Sequence, residues 1–337
     1  MNATSPKTSS FIQQLTPTNL AQEKAKFFAD FSYNPQFIYS HPVLTEKLSK
    51  YGLPLPTLSE LALEVLHHAY HHRTEAELFA LEGRMLSQAE VQQRTLTYLK
   101  SNGIMDQYTI SWSKNFLVRS SINLKHQILK FRLPVDFREE GFVGMLHHEI
   151  GTHALRTYNF QQQSWYSIRS QYKWKPYLPT EEGLAVLHSS LAHSFKLLYI
   201  SAIRYLAVAV AEQHSFSEVW SQLSPWIDDL ERRWMICVRV KRGISDTSQP
   251  GSFTKDIVYF SGAIHVWHWM VSHNMDLAGL YLGKIAAEDV PLARSLSPDF
   301  QPILPYFYES DVASYSESIQ NIGTQNFFDQ LPPEAVR

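Results

Sequence analysis

One cysteine, Cys237, stands in 337 residues, so no disulfide can form within the chain. Its apolar neighbours, Trp234-Met235-Ile236 and Val238, make it a small buried hydrophobe rather than a reactive thiol. The chain therefore suits a reducing compartment, and the expected location is cytoplasmic. There is no basic excess: 30 Lys and Arg face 32 Asp and Glu, a formal net charge of -2, which argues against nucleic acid as a partner. No apolar run is long enough for a membrane. The longest, residues 197–211, contains Arg204 and falls short of the roughly 20 residues a bilayer requires. Met1 to Leu20 is rich in Ser, Thr and Gln without an apolar core, so no secretory signal is read there.

What remains is an ordinary globular composition, 44% hydrophobic and 18% charged, with many aromatic residues. The length suffices for a large core. Residues 1–20 and 325–337 read as flexible tails around a single domain at 21–324. Thr57 and Glu60 suggest a capping box for a first helix, and a second is expected from about Thr74 to Tyr98. The alternation in Tyr108–Trp112, then Phe116–Arg119 and Ile128–Arg132, reads as a small antiparallel sheet. Asp136 and Glu139 would cap a helix running to about Arg156. Residues 159–178 read as a loop, and Thr180 as the N-cap of the next helix. Helices are expected over 183–213, 216–239 and about 256–289, with a polar loop at 241–256. The class is a mostly helical α+β protein.

Two segments carry chemistry. Residues 147–153 are His147-His148-Glu149-Ile150-Gly151-Thr152-His153, and residues 180–185 are Thr180-Glu181-Glu182-Gly183-Leu184-Ala185. The first is H-E-x-x-x-H, one residue longer than the common zinc peptidase signature. In a regular helix His148 and His153 diverge by roughly 140° and could not share an ion. A π-bulge would realign them, and Gly151, lacking Cβ, would ease that distortion. The two His would supply two zinc ligands. Glu182 is preferred as the third, with Glu181 as a partner orienting a ligand. Glu149, following the first His, is placed to serve as general base on the zinc-activated water.

These segments resemble the microtubule-associated tyrosine carboxypeptidases and the bacterial metallopeptidases named for a QEGLA motif. Glu181 stands where the bacterial name has Gln, so Glu182 matches the motif's acid. The stretch Lys241-Arg242-Gly243, Asp246, Pro250-Gly251, Phe253, Lys255-Asp256, Tyr259 and Gly262 is also similar to the family, and the resemblance covers roughly residues 30–320. It implies a zinc-dependent, zincin-like (thermolysin-like) core with one Zn2+ per chain. It implies His148, His153 and Glu182 as ligands, Glu149 as the catalytic acid, and Arg156 as the matching Arg one turn beyond the second His. The substrate implied is a peptide or protein C-terminal tail, with the last residue, tyrosine-like, removed.

Arg156, Arg242 and Lys255 are candidate partners for a substrate carboxylate. Tyr259 is a candidate donor to the developing oxyanion. A run of four His, at 67, 68, 71 and 72, has metal-compatible i,i+4 spacing but no third-ligand signature. Two alternatives stay open: a non-catalytic regulatory or binding protein retaining the fold, and a metal hydrolase of a non-peptide bond.

Overall fold

A computed structural model describes residues 14–116 and 118–336. The tail read at 1–20 therefore lies largely outside the described residues, as does Leu117 within the expected middle strand. In chain order the helices and strands are α1 (Leu20–Ala29), α2 (Pro56–Ala69), α3 (Glu75–Ala80), α4 (Gln88–Ser101), β1 (Thr109–Ser113), β2 (Ser120–Asn123) and β3 (Ile128–Arg132). Then come α5 (Glu139–Leu146), a π-helical segment (His147–Ala154), α6 (Leu155–Gln162), α7 (Leu178–Leu191), α8 (Tyr199–Ala211), α9 (Phe216–Gln222) and α10 (Leu230–Lys241). Last are α11 (Ile257–Ser272), α12 (Val290–Leu296) and α13 (Val312–Gln325), with single helical turns between several of these. The protein is thus mostly helical α+β.

Several helix starts differ from expectation. Pro56 opens α2 at its first turn, with no side-chain cap. Proline is pre-set for that position and has no N–H to satisfy, so the Thr57–Glu60 box is not needed. The helix expected over 74–98 is two. Thr74 with Glu77 and Ser87 with Glu90 each form a complete capping box, so each starts its own helix. Arg138, not Asp136, precedes α5. Helix α7 begins at Leu178 with Pro179 in its first turn, and the Thr180 hydroxyl instead accepts the Ala287 N–H at 3.0 Å.

The chain forms two compact units. The first comprises residues up to 70 together with 199–257. Here α8 packs on α2. Phe27, wholly buried, makes ring contacts at 5.0 Å with Phe216 and Trp220 and at 5.3 Å with Trp234. Leu15, Leu48 and Phe253 form a second small core. Lys241 is wholly buried, and its ammonium donates to the carbonyls of Ala211, His214, Gln249 and Gly251, which ties down the loop after α10.

The second unit, residues 71–198 and 258–337, holds the sheet and the motif. The sheet order is β1-β3-β2, with β3 parallel to β1 and antiparallel to β2. The expected antiparallel sheet is therefore corrected to a mixed one. A four-residue turn joins β2 to β3 as a hairpin. β1 pairs on the other edge of β3, and the β2 passage serves as the crossover that parallel strands need.

Glycines set how closely the helices pack. A Cβ on Gly144 of α5 would lie 2.6 Å from the Ser189 carbonyl of α7. A Cβ on Gly183 of α7 would lie 2.1 Å from the Gly262 carbonyl carbon of α11. The glycine after Glu182 thus serves the contact of α7 with α11, while Gly144 lets the motif helix approach α7. α13 covers α7 from another side, and the Trp267 indole donates to the Ile319 carbonyl at 2.9 Å. Phe328 is wholly buried beyond α13. Among the described residues no helix is long and apolar enough to cross a membrane.

Candidate functional site

The distortion expected at Gly151 is present: His147–Ala154 is π-helical, and the Leu155 N–H reaches back five residues to the Ile150 carbonyl. The wider turn brings His148 and His153 to the same side, ring centroids 4.7 Å apart at 85°. Gly151 is needed for a different reason from the one expected. It has no left-handed backbone angle, but a Cβ there would meet Phe307 at 2.7 Å and the Tyr98 hydroxyl at 2.8 Å.

Helix α7 lies against the π segment and brings its first turn to the two imidazoles. Glu182 Oε2 sits 3.7 Å from His148 Nε2 and 3.5 Å from His153 Nε2. One donor atom from each of the three residues lies within 4.8 Å of the others. Four donors around one zinc at about 2.0–2.1 Å would be spaced by about 3.3 Å, so the two Glu182–imidazole distances are compatible with these three residues holding such an ion. It is the group of metal-ligating side chains found among the described residues. The His run at 67–72 is not gathered in that way: His67 packs its ring on Trp226, and His71 on His72.

Glu181 is the electrostatic hub behind the trio. It is 2% exposed, accepts from His153 Nδ1 and Lys284 Nζ at 2.9 Å each through Oε1, and takes the Arg156 Nη1 through Oε2. Burial alone would raise the Glu181 carboxyl, but Arg156, Lys284 and His153 outweigh it and hold it well below the ordinary range. Burial would likewise lower the His153 imidazole, but hydrogen bonds and charge from Glu181 and Glu182 push it up to about 10. A cation bound at His153 Nε2 must displace that proton, while the Nδ1–H bond to Glu181 fixes the ring's tautomer and direction.

Arg156 is where the sequence placed it, one turn past His153, but it does not face the cleft. It is wholly buried, with Nε donating to the Leu280 carbonyl, Nη2 to Ile285 (both 2.9 Å) and Nη1 to Glu181. Its guanidinium is consumed by structure, so the reading of Arg156 as a substrate partner is corrected to a support for Glu181. Arg242 and Lys255 belong to the first unit. There Arg242 donates to the Arg239 carbonyl at 2.9 Å and lies over Phe253, and Lys255 sits in the short helical turn Thr254–Asp256.

The trio opens into a cleft of about 300 Å³ lined by residues that include Glu149, Tyr177, Tyr259, Lys284 and, from β2, Ser121 and Ile122. Tyr259 is thus part of the cleft wall. Lys284 is the basic side chain of this lining. Sequence reasoning missed it, and no motif in Leu282-Gly283-Lys284-Ile285 marks it. Only the return of the chain after α11 brings it beside Glu181.

A wall of helices carrying a His–His–Glu trio that could hold a metal ion, beside a carboxylate and an open cleft, makes this a candidate active site. A profile of the family described as Microtubule-associated tyrosine carboxypeptidase matches residues 29–300. The chain is 32% identical over 337 residues to Microtubule-associated tyrosine carboxypeptidase 1 of Mus musculus, which covers 98% of this chain and 72% of the relative. It is 32% identical over 317 residues to Putative tyrosine carboxypeptidase MATCAP2 of Mus musculus, covering 92% of this chain and 61% of the relative. The Homo sapiens Microtubule-associated tyrosine carboxypeptidase 1 is 31% identical over 330 residues. The chain belongs to the microtubule-associated tyrosine carboxypeptidase family.

Proposed function

We propose that this chain is a zinc-dependent, zincin-like peptidase that removes a C-terminal residue, tyrosine-like, from a peptide or protein tail in the cytoplasm. The observation that carries the reading is the convergence of His148, His153 and Glu182 within 4.8 Å, on a cleft that Glu149 also lines. The names of the relatives support carboxypeptidase chemistry. The donor set fits one Zn2+ per chain. When bound, that ion supplies Lewis acidity toward a peptide carbonyl and acidifies a water held at the site.

The chain's own residues do the rest. Glu149 takes the proton of the attacking water and returns it to the leaving amine. Tyr259 offers its hydroxyl to the carbonyl oxygen as charge develops there. Lys284, drawn to Glu181 in the free protein, is the cation positioned to meet the terminal carboxylate of the tail and hold the last peptide bond in place. Glu181 orients His153, and Arg156 holds Glu181.

The experiment is metal analysis of the purified protein, followed by mass spectrometry of peptides ending in Tyr, Phe or other residues, each free or amidated at the C-terminus. One zinc per chain and loss of a single C-terminal residue from the free peptides alone are expected. Zinc with internal cleavage, or equal cutting of free and amidated peptides, would overturn the carboxypeptidase reading. Zinc with no peptide cleavage would favour a non-peptide hydrolase or a non-catalytic regulatory protein. Wild-type zinc content in His148→Ala/His153→Ala would overturn the site itself.

A further inference from the structure

A π turn is seldom found alone because it interrupts regular α-helical bonding, and something outside the helix must hold it. Here three carbonyls of the segment accept side-chain hydroxyls, one of them that of His153, from Thr157 one turn on at 2.7 Å. Thr152 Oγ1 donates to the His147 carbonyl at 2.9 Å, and the Tyr281 hydroxyl donates to the Gly151 carbonyl at 2.5 Å. Thr152 Oγ1 also lies 2.7 Å from His188 Nδ1, and His188 Nε2 lies 2.9 Å from the Tyr315 hydroxyl.

Counting protons gives this chain a direction. The Thr152 hydroxyl has one hydrogen and gives it to a carbonyl, which can only accept. His188 Nδ1–H must therefore donate to Thr152, which leaves Nε2 as an acceptor for the Tyr315 O–H. The run is Tyr315 to His188 to Thr152 to the His147 carbonyl. A return bond closes it: His147 Nδ1–H donates to the His188 carbonyl at 3.1 Å. Thr152, His188 and Tyr281 are wholly buried and Tyr315 is 3% exposed, and none lines the cleft. Burial holds His188 neutral, as this proton count requires. α7 therefore touches the motif twice. Its first turn supplies Glu181 and Glu182, and its last supplies His188.

We propose that the buried Tyr315–His188–Thr152 chain, with Tyr281, is the positioning device that locks the π turn and so sets the alignment of His148 and His153. The inference rests on the zinc reading for its functional consequence, but the lock itself is a property of the metal-free chain. Without it the turn can relax to α-helical register. That change of one residue rotates His153 by about 100° away from Glu181 and Glu182.

The test compares Thr152→Val, which keeps the shape and removes the hydroxyl, with Thr152→Ser, which restores it. Tyr281→Phe removes the second bond, and with it the longer 3.5 Å contact of the same hydroxyl with His188 Nδ1, while leaving the Thr152 hydroxyl in place. Two readouts are taken: zinc affinity by competition with a chelator, and hydrogen exchange of the amides of 150–155 in metal-free protein. Thr152→Val and Tyr281→Phe should weaken zinc binding by about 10–100-fold, as partners of ligands do elsewhere, and speed exchange. Thr152→Ser should match the parent in both. A merely structural role would lower the unfolding temperature alone. If folded Thr152→Val binds zinc as tightly as the parent with unchanged exchange, the proposal is overturned. If the parent binds no zinc, the metal reading falls, and exchange alone judges the lock. If Thr152→Val does not fold, Tyr281→Phe decides by the same two readouts.

Discussion

Replacing Glu181 by Gln tests the electrostatic frame of the site, because both carboxylate oxygens are used. Oε1 accepts from His153 and Lys284, and Oε2 from Arg156. An amide has one accepting oxygen. If it faces Arg156, its NH2 is driven against His153 Nδ1–H and Lys284. If it faces them, it opposes a guanidinium that is wholly buried. Either way a buried cation loses its counter-charge, which costs about 3–5 kcal/mol. That is a large fraction of the roughly 5–15 kcal/mol that holds a typical domain together. Glu231→Gln is the control: its side chain is 63% exposed beside Lys24, and such pairs contribute about 0–1 kcal/mol. Urea unfolding of metal-free protein should show the difference as a drop in midpoint at constant slope. Zinc affinity should fall about 10–100-fold as well, since His153 loses the acceptor that orients it. A Glu181→Gln variant as stable as the parent, with unchanged zinc affinity, would refute the reasoning.

Glu149→Gln should keep fold and zinc while turnover falls about 10²–10⁴-fold; full activity would remove Glu149 as the base. Gly183→Ala should destabilise by about 1–3 kcal/mol and weaken zinc binding, because its Cβ would lie 2.1 Å from the Gly262 backbone and push α7 outward. An unfolding midpoint equal to the parent's would show that the helices can separate freely. In the first unit, Asp256 is held down in pKa: burial raises it, but Arg239, Arg204 and Arg242 prevail. A lowered carboxylate stabilises above its unfolded value, about 3.8, and that contribution is lost as pH falls through the folded value. The parent should therefore lose stability in acid more steeply than Asp256→Asn, and parallel stability curves from pH 2 to 7 would contradict this.

The sequence carried the donor types and their spacing. H-E-x-x-x-H cannot serve one ion on a regular helix, so the π turn was legible from arithmetic on 3.6 residues per turn. The adjacency of Glu182 to Gly183 pointed to the third donor, though the glycine turned out to face α11. The helix start at Thr74 was legible, but the one at Ser87, whose capping box is just as complete, was passed over inside a single longer helix. Starts were misplaced where Pro56 and Pro179 took the first turn instead. The sheet's mixed order was not legible, because strand direction is set by which edge of β3 the first strand joins, and alternation is blind to that.

What tertiary structure alone decided is the use of each charge. Arg156 looked like a substrate arginine by position. It is buried because the carbonyls of Leu280 and Ile285, 124 and 129 residues away, claim its donors. Lys284, carrying no local signal, lines the cleft because the chain returns beside Glu181. Thr152 and His188 become a lock only because α7 runs along the motif, 36 residues apart in sequence and 2.7 Å apart in space. Local spacing fixes what a helix can present, but the partner of a buried charge or hydroxyl is fixed by whichever distant segment desolvates it.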